Sequence, residues 1–397
     1  MQTNRRNALR VMGGAMIAAA TAGVAGCSSE MPAEAVAAWQ GPGGGETDLR
    51  RWVLSYAILA PHSHNLQSWL VDLSEPDVIS LHMDLARTLP ETDPFSRQMV
   101  MSQGTFLELL DQAARQRGLR TEMQLFPLGA FDARGPDARP TARIRLVQDA
   151  AVVPDPLFAQ VLRRRTNRLP YEMRLPDAQA LQAIRESVAG FPVTVGVTDP
   201  AQATVLDTHR AIAKQAWAIE LGTPRTLLES YKVLRVGPGE IAQHRDGLSL
   251  NDPMVWLLTA VGLFDRTRAS APDSQAIQGQ IRKFAAAIDS TPAFFWMTTQ
   301  DNERVTQLLA GRAYVRAQLA ATANGLSMHP LQQALQEYPE QDQPRAQIHR
   351  LLGARQPGGT VQMWARLGYG PAVGPAPRRG VQSHLLGAQA PRPAMAG

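Results

Sequence analysis

A single cysteine, Cys27, stands in a chain of 397 residues, so no internal disulfide can brace the fold. Lysine is almost missing too: only Lys214, Lys232 and Lys283 occur, and arginine carries the remaining positive charge. No basic stripe interleaved with aromatics is present, which argues against a nucleic-acid partner. No G-x-S-x-G, H-E-x-x-H or EF-hand pattern occurs, so those hydrolase, zinc and calcium chemistries lack a sequence basis. His62 and His64 could face one way on an extended chain, but no third ligand lies at metal-site spacing, so no metal is expected. The other reading has His62 packing on its loop or on a ligand. Gly237-Pro238-Gly239 superficially resembles a phosphate loop, yet it follows a helical pattern, carries a proline and shows no preceding strand.

What is present begins with an address. Arg5 and Arg6 precede a run of mostly small apolar residues from Val11 to Gly26, which reads as a signal segment rather than a transmembrane anchor. Paired arginines before a weakly hydrophobic core point to twin-arginine export, a route for proteins that fold before crossing. Val24-Ala25-Gly26-Cys27 resembles a lipobox, making Cys27 the expected lipidation site; a plain signal-peptidase site is the alternative. The expected location is the periplasm or cell envelope, with membrane contact only through that lipid. The formal charge of +5 includes Arg5, Arg6 and Arg10, so the mature chain is near 5 − 3 = +2. With 44% hydrophobic and 19% charged residues, the body is globular and large enough for one large or two medium domains.

Residues 28–46, small and glycine-rich, read as a flexible tether. A helix through Trp52, Val53, Tyr56 and Leu59 leads to Pro61, and strands are expected at 66–73 and 78–84. A long helix spans 96–118, closed by Gly118, and two short strands flank a mobile segment at 129–140. Further on, the pattern predicts a helix from Asp177, a strand at 191–198 and helices from 201 to 288. A buried strand at 292–299, a second long helix, a Met328-His329-Pro330 turn and a last strand at 361–367 complete the body. A proline- and glycine-rich tail then wraps. Gln103–Leu119 aligns without gaps on Ala310–Leu326, pairing Gly104 with Gly311 and Gly118-Leu119 with Gly325-Leu326. Chance likeness between alanine-rich helices is one account; a duplication is the favoured one.

Two stretches carry chemistry. The segment APHSHNLQSW, 60–69, offers Ser63, Asn65 and Gln67, short uncharged hydrogen-bonding groups suited to a neutral planar ligand; an ordinary helix-to-strand loop explains them equally. Arg163 to Arg168, RRRTNR, presents donors suited to a phosphate, though a solvated basic turn has the same composition.

Taken together, these stretches resemble the nitroreductase family of FMN-dependent oxidoreductases. Pro61, Ser63, Asn65, Gln67 and Trp69 match its P-S-x-x-N-x-Q-P-W motif, with His62 and Ser68 departing from it. Arg164, Thr166 and Arg168 match its R-x-S-x-R, with Thr for Ser. The resemblance implies an α+β fold with a mostly antiparallel sheet in each of two tandem divergent copies, at 47–155 and 156–380. They would form an intramolecular pseudo-dimer followed by a flexible tail, 381–397, as in the Acg-like branch, and the protein would be a monomer. It also implies FMN as cofactor. Pro61, His62, Ser63, Asn65 and Gln67 would line the site, Arg164, Arg165 and Thr166 would meet phosphate and ribityl, and Arg168 would meet the ring. Ser327 and Met328 would present backbone amides near flavin N5, and Arg378 and Arg379 resemble a C-terminal basic pair closing on the phosphate, unless they belong to a disordered tail. Hydride would pass from a reductant such as NAD(P)H to a nitroaromatic or quinone, with no catalytic acid or base assigned. The alternative is a protein that sequesters FMN without turnover.

Overall fold

The computed structural model describes residues 30–199, 201–354 and 358–387. The expected signal segment with Cys27, and residues 388–397 of the expected tail, lie outside them. The first half holds α1 (Ala33–Val36), α2 (Leu49–Ala57), β1 (Trp69–Asp72), β2 (Val78–Met83), α3 (Arg97–Arg115), β3 (Leu119–Leu125) and β4 (Ala142–Gln148). The second opens with α4 (Ala178–Ser187), β5 (Thr194–Val197), α5 (Ala203–Gly222), α6 (Pro224–Lys232), β6 (Leu234–Val236), α7 (Gly237–His244), β7 (Leu248–Leu250) and α8 (Pro253–Ala260). It closes with α9 (Gln275–Asp289), β8 (Ala293–Thr299), α10 (Arg304–Ala323), β9 (Ser327–Pro330), α11 (Asp342–Leu351) and β10 (Thr360–Gly368).

The fold is α+β, with one four-stranded antiparallel sheet per half: β1-β2-β4-β3 and β5-β8-β10-β9. In the first sheet, inward Val71, Ile79, Leu81 and Ile144 join Phe106, Leu109 and Leu110 of α3 in one core. β3 alternates covered or half-covered residues (Leu119, Thr121, Met123, Leu125) with exposed ones, the mark of a sheet covered on one face. The second sheet is covered on both. Phe295, Met297, Ala365 and Leu367 share a cluster with α10, while Phe294 and Trp364 pack with α5 and α11. Every residue of β10 is buried in consequence.

The two aligned helices, α3 and α10, cross at the centre of the molecule. A Cβ added to Gly104 would lie 1.9 Å from the Leu308 carbonyl oxygen, and one added to Gly311 would lie 1.9 Å from the Met101 carbonyl oxygen. The contact is reciprocal, since 311 − 104 = 308 − 101 = 207. A two-fold axis produces that pattern, in which the same patch meets itself. Glu108 of α3 is almost fully buried and bridges to Arg312 (2.8 Å) and Arg316 (2.7 Å) of α10. Leu308, Val315 and Leu319 of α10 complete the first half's core.

Several expectations need correction. The supposed tether is built in part into the body: Ala35 and Trp39 are buried, and the Trp39 indole N–H donates to the Ala376 carbonyl at 2.8 Å. The start of the supposed flexible tail is also fixed, because His384 is buried and its ring Nδ1 lies 3.0 Å from the Trp69 carbonyl. Within the stretch where helices are expected to dominate, β6 and β7 form a parallel pair around α7, so a strand does precede Gly237. The Met328-His329-Pro330 turn is strand β9 instead, registered against β10 with Met328 opposite Leu367. It lies at the sheet edge, where a proline is tolerated.

Replacing Gly104 or Gly311 with alanine forces the helices apart at a backbone carbonyl. Each change is expected to cost about 1–3 kcal/mol, read as a lowered denaturant midpoint. Gly44→Ala, whose added Cβ meets nothing, serves as the neutral control.

Candidate functional site

The polar loop leaves α2 and is docked on α3. Thr105 donates its hydroxyl to the Pro61 carbonyl at 2.7 Å, Ser102 accepts from the Ser63 amide at 3.2 Å, and the Ser63 hydroxyl donates to Gln98 at 3.3 Å. Within it His64, Asn65 and Gln67 all take left-handed backbone conformations, with φ of 47°, 55° and 54°. Such conformations are costly for non-glycine residues and persist where the surroundings impose them. His62 accepts from the Ser68 amide at Nε2 (3.2 Å) while Nδ1 faces the Ser63 carbonyl (2.8 Å), so the ring is neutral and protonated at Nδ1. Burial pushes its pKa down to about 3, with Arg378, Arg379 and His64 adding repulsion. Both nitrogens are thus spent on the loop itself, which leaves no lone pair for a metal.

Two of the expected ligand groups are engaged by the protein. Asn65 accepts at Oδ1 from the Arg378 guanidinium and donates at Nδ2 to the carbonyls of Pro377 (3.1 Å) and Gly247 (3.3 Å). Gln67 is fully buried, donates to the Arg245 carbonyl (2.9 Å) and accepts from the Arg379 amide (2.9 Å). These amides clamp the C-terminal strap and the 245–247 turn onto the loop. The reason is positional: a left-handed Gln67 turns its side chain into the body.

The arginine run reaches the same place from the other half. Arg164 is buried and donates to the Leu59 carbonyl (2.9 Å), just ahead of the loop, and to Gln318 of α10 (3.2 Å). Arg378 donates to the Ala60 carbonyl at 3.0 Å. The Trp39 ring lies against three guanidinium centres, Arg165 at 4.3 Å, Arg378 at 5.5 Å and Arg164 at 5.6 Å. Among the described residues none of these three has a carboxylate partner, and the Nε atoms of Arg164 and Arg378 are buried without a hydrogen bond. Burial lowers the Arg164 pKa to about 10, and burial followed by repulsion from Arg164 and Arg165 pulls Arg378 well below the usual arginine range. Aromatic faces offset part of this cost; an anion would offset far more.

Arg168 is exposed, and its charge acts on His64 and, toward the second half, on His329, Tyr171 and Tyr314. The Tyr314 hydroxyl nearby, on α10, is buried and unpartnered. Thr166 forms a parallel bridge with Met328, and the Asn167 amide donates to the Met328 carbonyl at 3.2 Å. Ser327 and Met328 are therefore sheet residues between β10 and the arginine run rather than a free turn. A depression of about 220 Å³ is bounded by Ala38, Pro42, Arg51, Ser55 and Gly380, and none of Arg164, Arg165, Arg168 and Arg378 lines it.

Arg164, Arg165 and Arg378 thus meet at the entry to the 61–67 loop, through the Leu59 and Ala60 carbonyls and the Trp39 ring, whereas Ser327 and Met328 lie in β9 and Arg168 is exposed. Trp39, Tyr314 and the 245–247 turn were not legible in the sequence. Only Trp39 left a trace, as a lone large aromatic in a stretch of small residues.

No protein-family model matches the chain. It is 27% identical over 354 residues to a Mycobacterium tuberculosis protein named as an NAD(P)H nitroreductase, covering 84% of this chain and 90% of that one. A second protein of that organism, the acg nitroreductase, is 25% identical over 347 residues, covering 82% and 91%. Among solved structures, this chain is similar to a nitroreductase with bound FMN from Bacteroides fragilis (13% identity, TM-score 0.32, 55% of this chain and 89% of that one). It is also similar to the FMN-dependent nitroreductase NfnB from Mycobacterium smegmatis in complex with NADPH (15% identity, TM-score 0.31, 52% and 83%).

The neutral histidines generate a pH prediction. His62, at about 3, and His64, at about 4, sit below the ordinary histidine value of 6.5, so the unfolded chain binds those protons first. Their contribution is complete above pH 6.5 and is lost as pH falls toward the folded values. Asp93 and Glu220, raised by burial to about 6 and about 7, pull the opposite way. The histidine part is isolated by comparison: His62→Gln is expected to show a shallower loss of urea midpoint between pH 6.5 and 4 than the parent chain.

Proposed function

We propose that this protein is an FMN-dependent oxidoreductase of nitroreductase type, with one composite site assembled from both halves. The observation that carries the reading is the meeting of Arg164, Arg165 and Arg378, buried or half-buried and without carboxylate partners among the described residues, beside the 61–67 loop. Orphaned Nε donors on Arg164 and Arg378 fit a phosphate, which takes several charge-assisted bonds at once. Thr166 would meet the ribityl chain. Arg168 and the unpartnered Tyr314 hydroxyl would stand at the ring.

FMN bound there would supply hydride acceptance and donation. The chain's own part is positional and electrostatic. Arg168 would supply a positive charge to a reduced, anionic ring. Burial, and then Arg168, keep His64 neutral, with its pKa down at about 4, so it carries no competing charge at pH 7. No side chain is assigned as acid or base. The relatives' names support NAD(P)H as reductant, and a nitroaromatic or quinone is the proposed acceptor.

The Gly104–Gly311 crossing supports reading the halves as divergent copies fused into a pseudo-dimer, with a monomer expected in solution. Export by the twin-arginine route and lipidation of Cys27 are proposed with it, because a cofactor loaded before export requires a folded passenger.

A second reading, FMN storage without turnover, draws on Trp39 lying against the arginines and on the strap that occupies Asn65 and Gln67. Both readings give a yellow protein. Only the enzyme bleaches with NADPH in the absence of oxygen and recolours when a quinone is added; persistent colour with NADPH would favour storage.

Arg164→Ala and Arg378→Ala are each expected to weaken FMN binding by roughly tenfold or more, from the 1.5–3 kcal/mol of a charge-assisted bond. Flavin fluorescence titration measures it, with exposed Arg134→Ala as the unchanged control. Unaltered affinity in both variants would remove the arginines from the site.

A further inference from the structure

Helix α8 departs from what its sequence demands. PMVWLLTA is apolar around its whole circumference, a pattern that marks a fully buried helix. Only Leu258 is buried. Met254, Trp256 and Leu257 are 37%, 53% and 51% exposed, and the turn after them adds Val261 at 59% and Leu263 at 51%. The element is well constructed nonetheless. Asp252 caps it by accepting from the amides of Met254 (2.8 Å) and Val255 (3.2 Å). Gly237, at φ +76°, leaves room for the Trp256 ring, since a Cβ there would approach it to 2.6 Å. The indole is seated on one side and open on the other.

A second observation says what the open side faces. Asn251, the residue before the cap, donates its side-chain amide to the Glu30 carbonyl at 3.1 Å. The chain therefore joins the body beside the start of α8. Only Ser28 and Ser29 separate Glu30 from Cys27. Three residues span at most about 11 Å, so a lipid on Cys27 enters the bilayer next to the apolar helix.

We propose that α8 and the turn through Leu263 form a membrane-docking surface, laid into the interface of a phospholipid bilayer beside the lipid of Cys27. The inference rests on the lipidation reading of Cys27 and is independent of the flavin reading. No helix among the described residues is long and apolar enough to cross a membrane, so α8 lies on the bilayer rather than through it. A tryptophan among leucines, methionine and valines suits the headgroup boundary, where an amphipathic indole is favoured. A contiguous apolar patch of this kind marks an interaction site. Two attachments, lipid and helix, also fix the orientation of the body, which a lipid alone leaves free to swing.

The test uses the full chain produced with its signal. Lipidated Cys27 has no free thiol, so Leu257→Cys offers one site for a polarity-sensitive thiol dye; Leu128→Cys, at an exposed position of the first half, is the control. The proteins are reconstituted into phosphatidylethanolamine–phosphatidylglycerol vesicles with brominated acyl chains. The expected result is a blue shift and bromine quenching at position 257 with a water-like, unquenched signal at 128. A water-like signal at 257 overturns the proposal. A signal at 257 that is shielded but unquenched overturns it too, because a second copy or another protein then covers the helix. The intact mass of the mature chain reports lipidation separately. If Cys27 carries no lipid, that reading fails by itself, and Leu257→Cys in a Cys27→Ser chain decides α8 by the same two criteria.

Discussion

The approach of two helices through paired glycines is the constraint on which this molecule is built. At Gly104 and Gly311 each backbone lies where the other's side chain would be, so α3 and α10 pack closer than any other residue type allows. That proximity lets Glu108 reach two arginines on the facing helix, and it sets Gln318 within reach of Arg164. The loop rests on one helix and the arginine run on the other. Had the helices stood a side chain further apart, the two chemical stretches would not face one another.

The second constraint is electrostatic. Burying several guanidinium groups without carboxylates is expensive, and this chain has many carboxylates placed elsewhere. Arg312 and Arg316 meet Glu108, and Arg87 and Arg235 share Asp246. Against that pattern, leaving Arg164, Arg165 and Arg378 with only carbonyls, two side-chain amides and an indole ring among the described residues is a selective omission. The natural complement of such a site is an anion brought from outside.

Much of this was legible from one-dimensional pattern. The long helices, the capping Gly118 and the strands at 119–125 and 142–148 follow from periodicity and turn residues, because local chemistry decides them. The glycine pair was visible as an alignment, although its role as a crossing point was not. Other features resisted for physical reasons. Ser327 to Pro330 looked like a turn because a helix cap precedes it and a proline ends it, while its pairing partner is supplied by β10 some forty residues later. The residues that clamp Asn65 and Gln67 are 178 to 313 positions away in sequence. Trp39 fell in a stretch whose composition spoke for a loose leader, and its burial depends on a carbonyl at position 376.

Those long separations bear on how the molecule matures. The loop emerges from the ribosome early, the arginine run in mid-synthesis and the strap that joins them close to the end. A nascent chain therefore cannot join the loop to the strap until residues 377–379 have been made. The arrangement works as a completeness check: the loop's amides are satisfied only when segments more than three hundred residues apart have found each other.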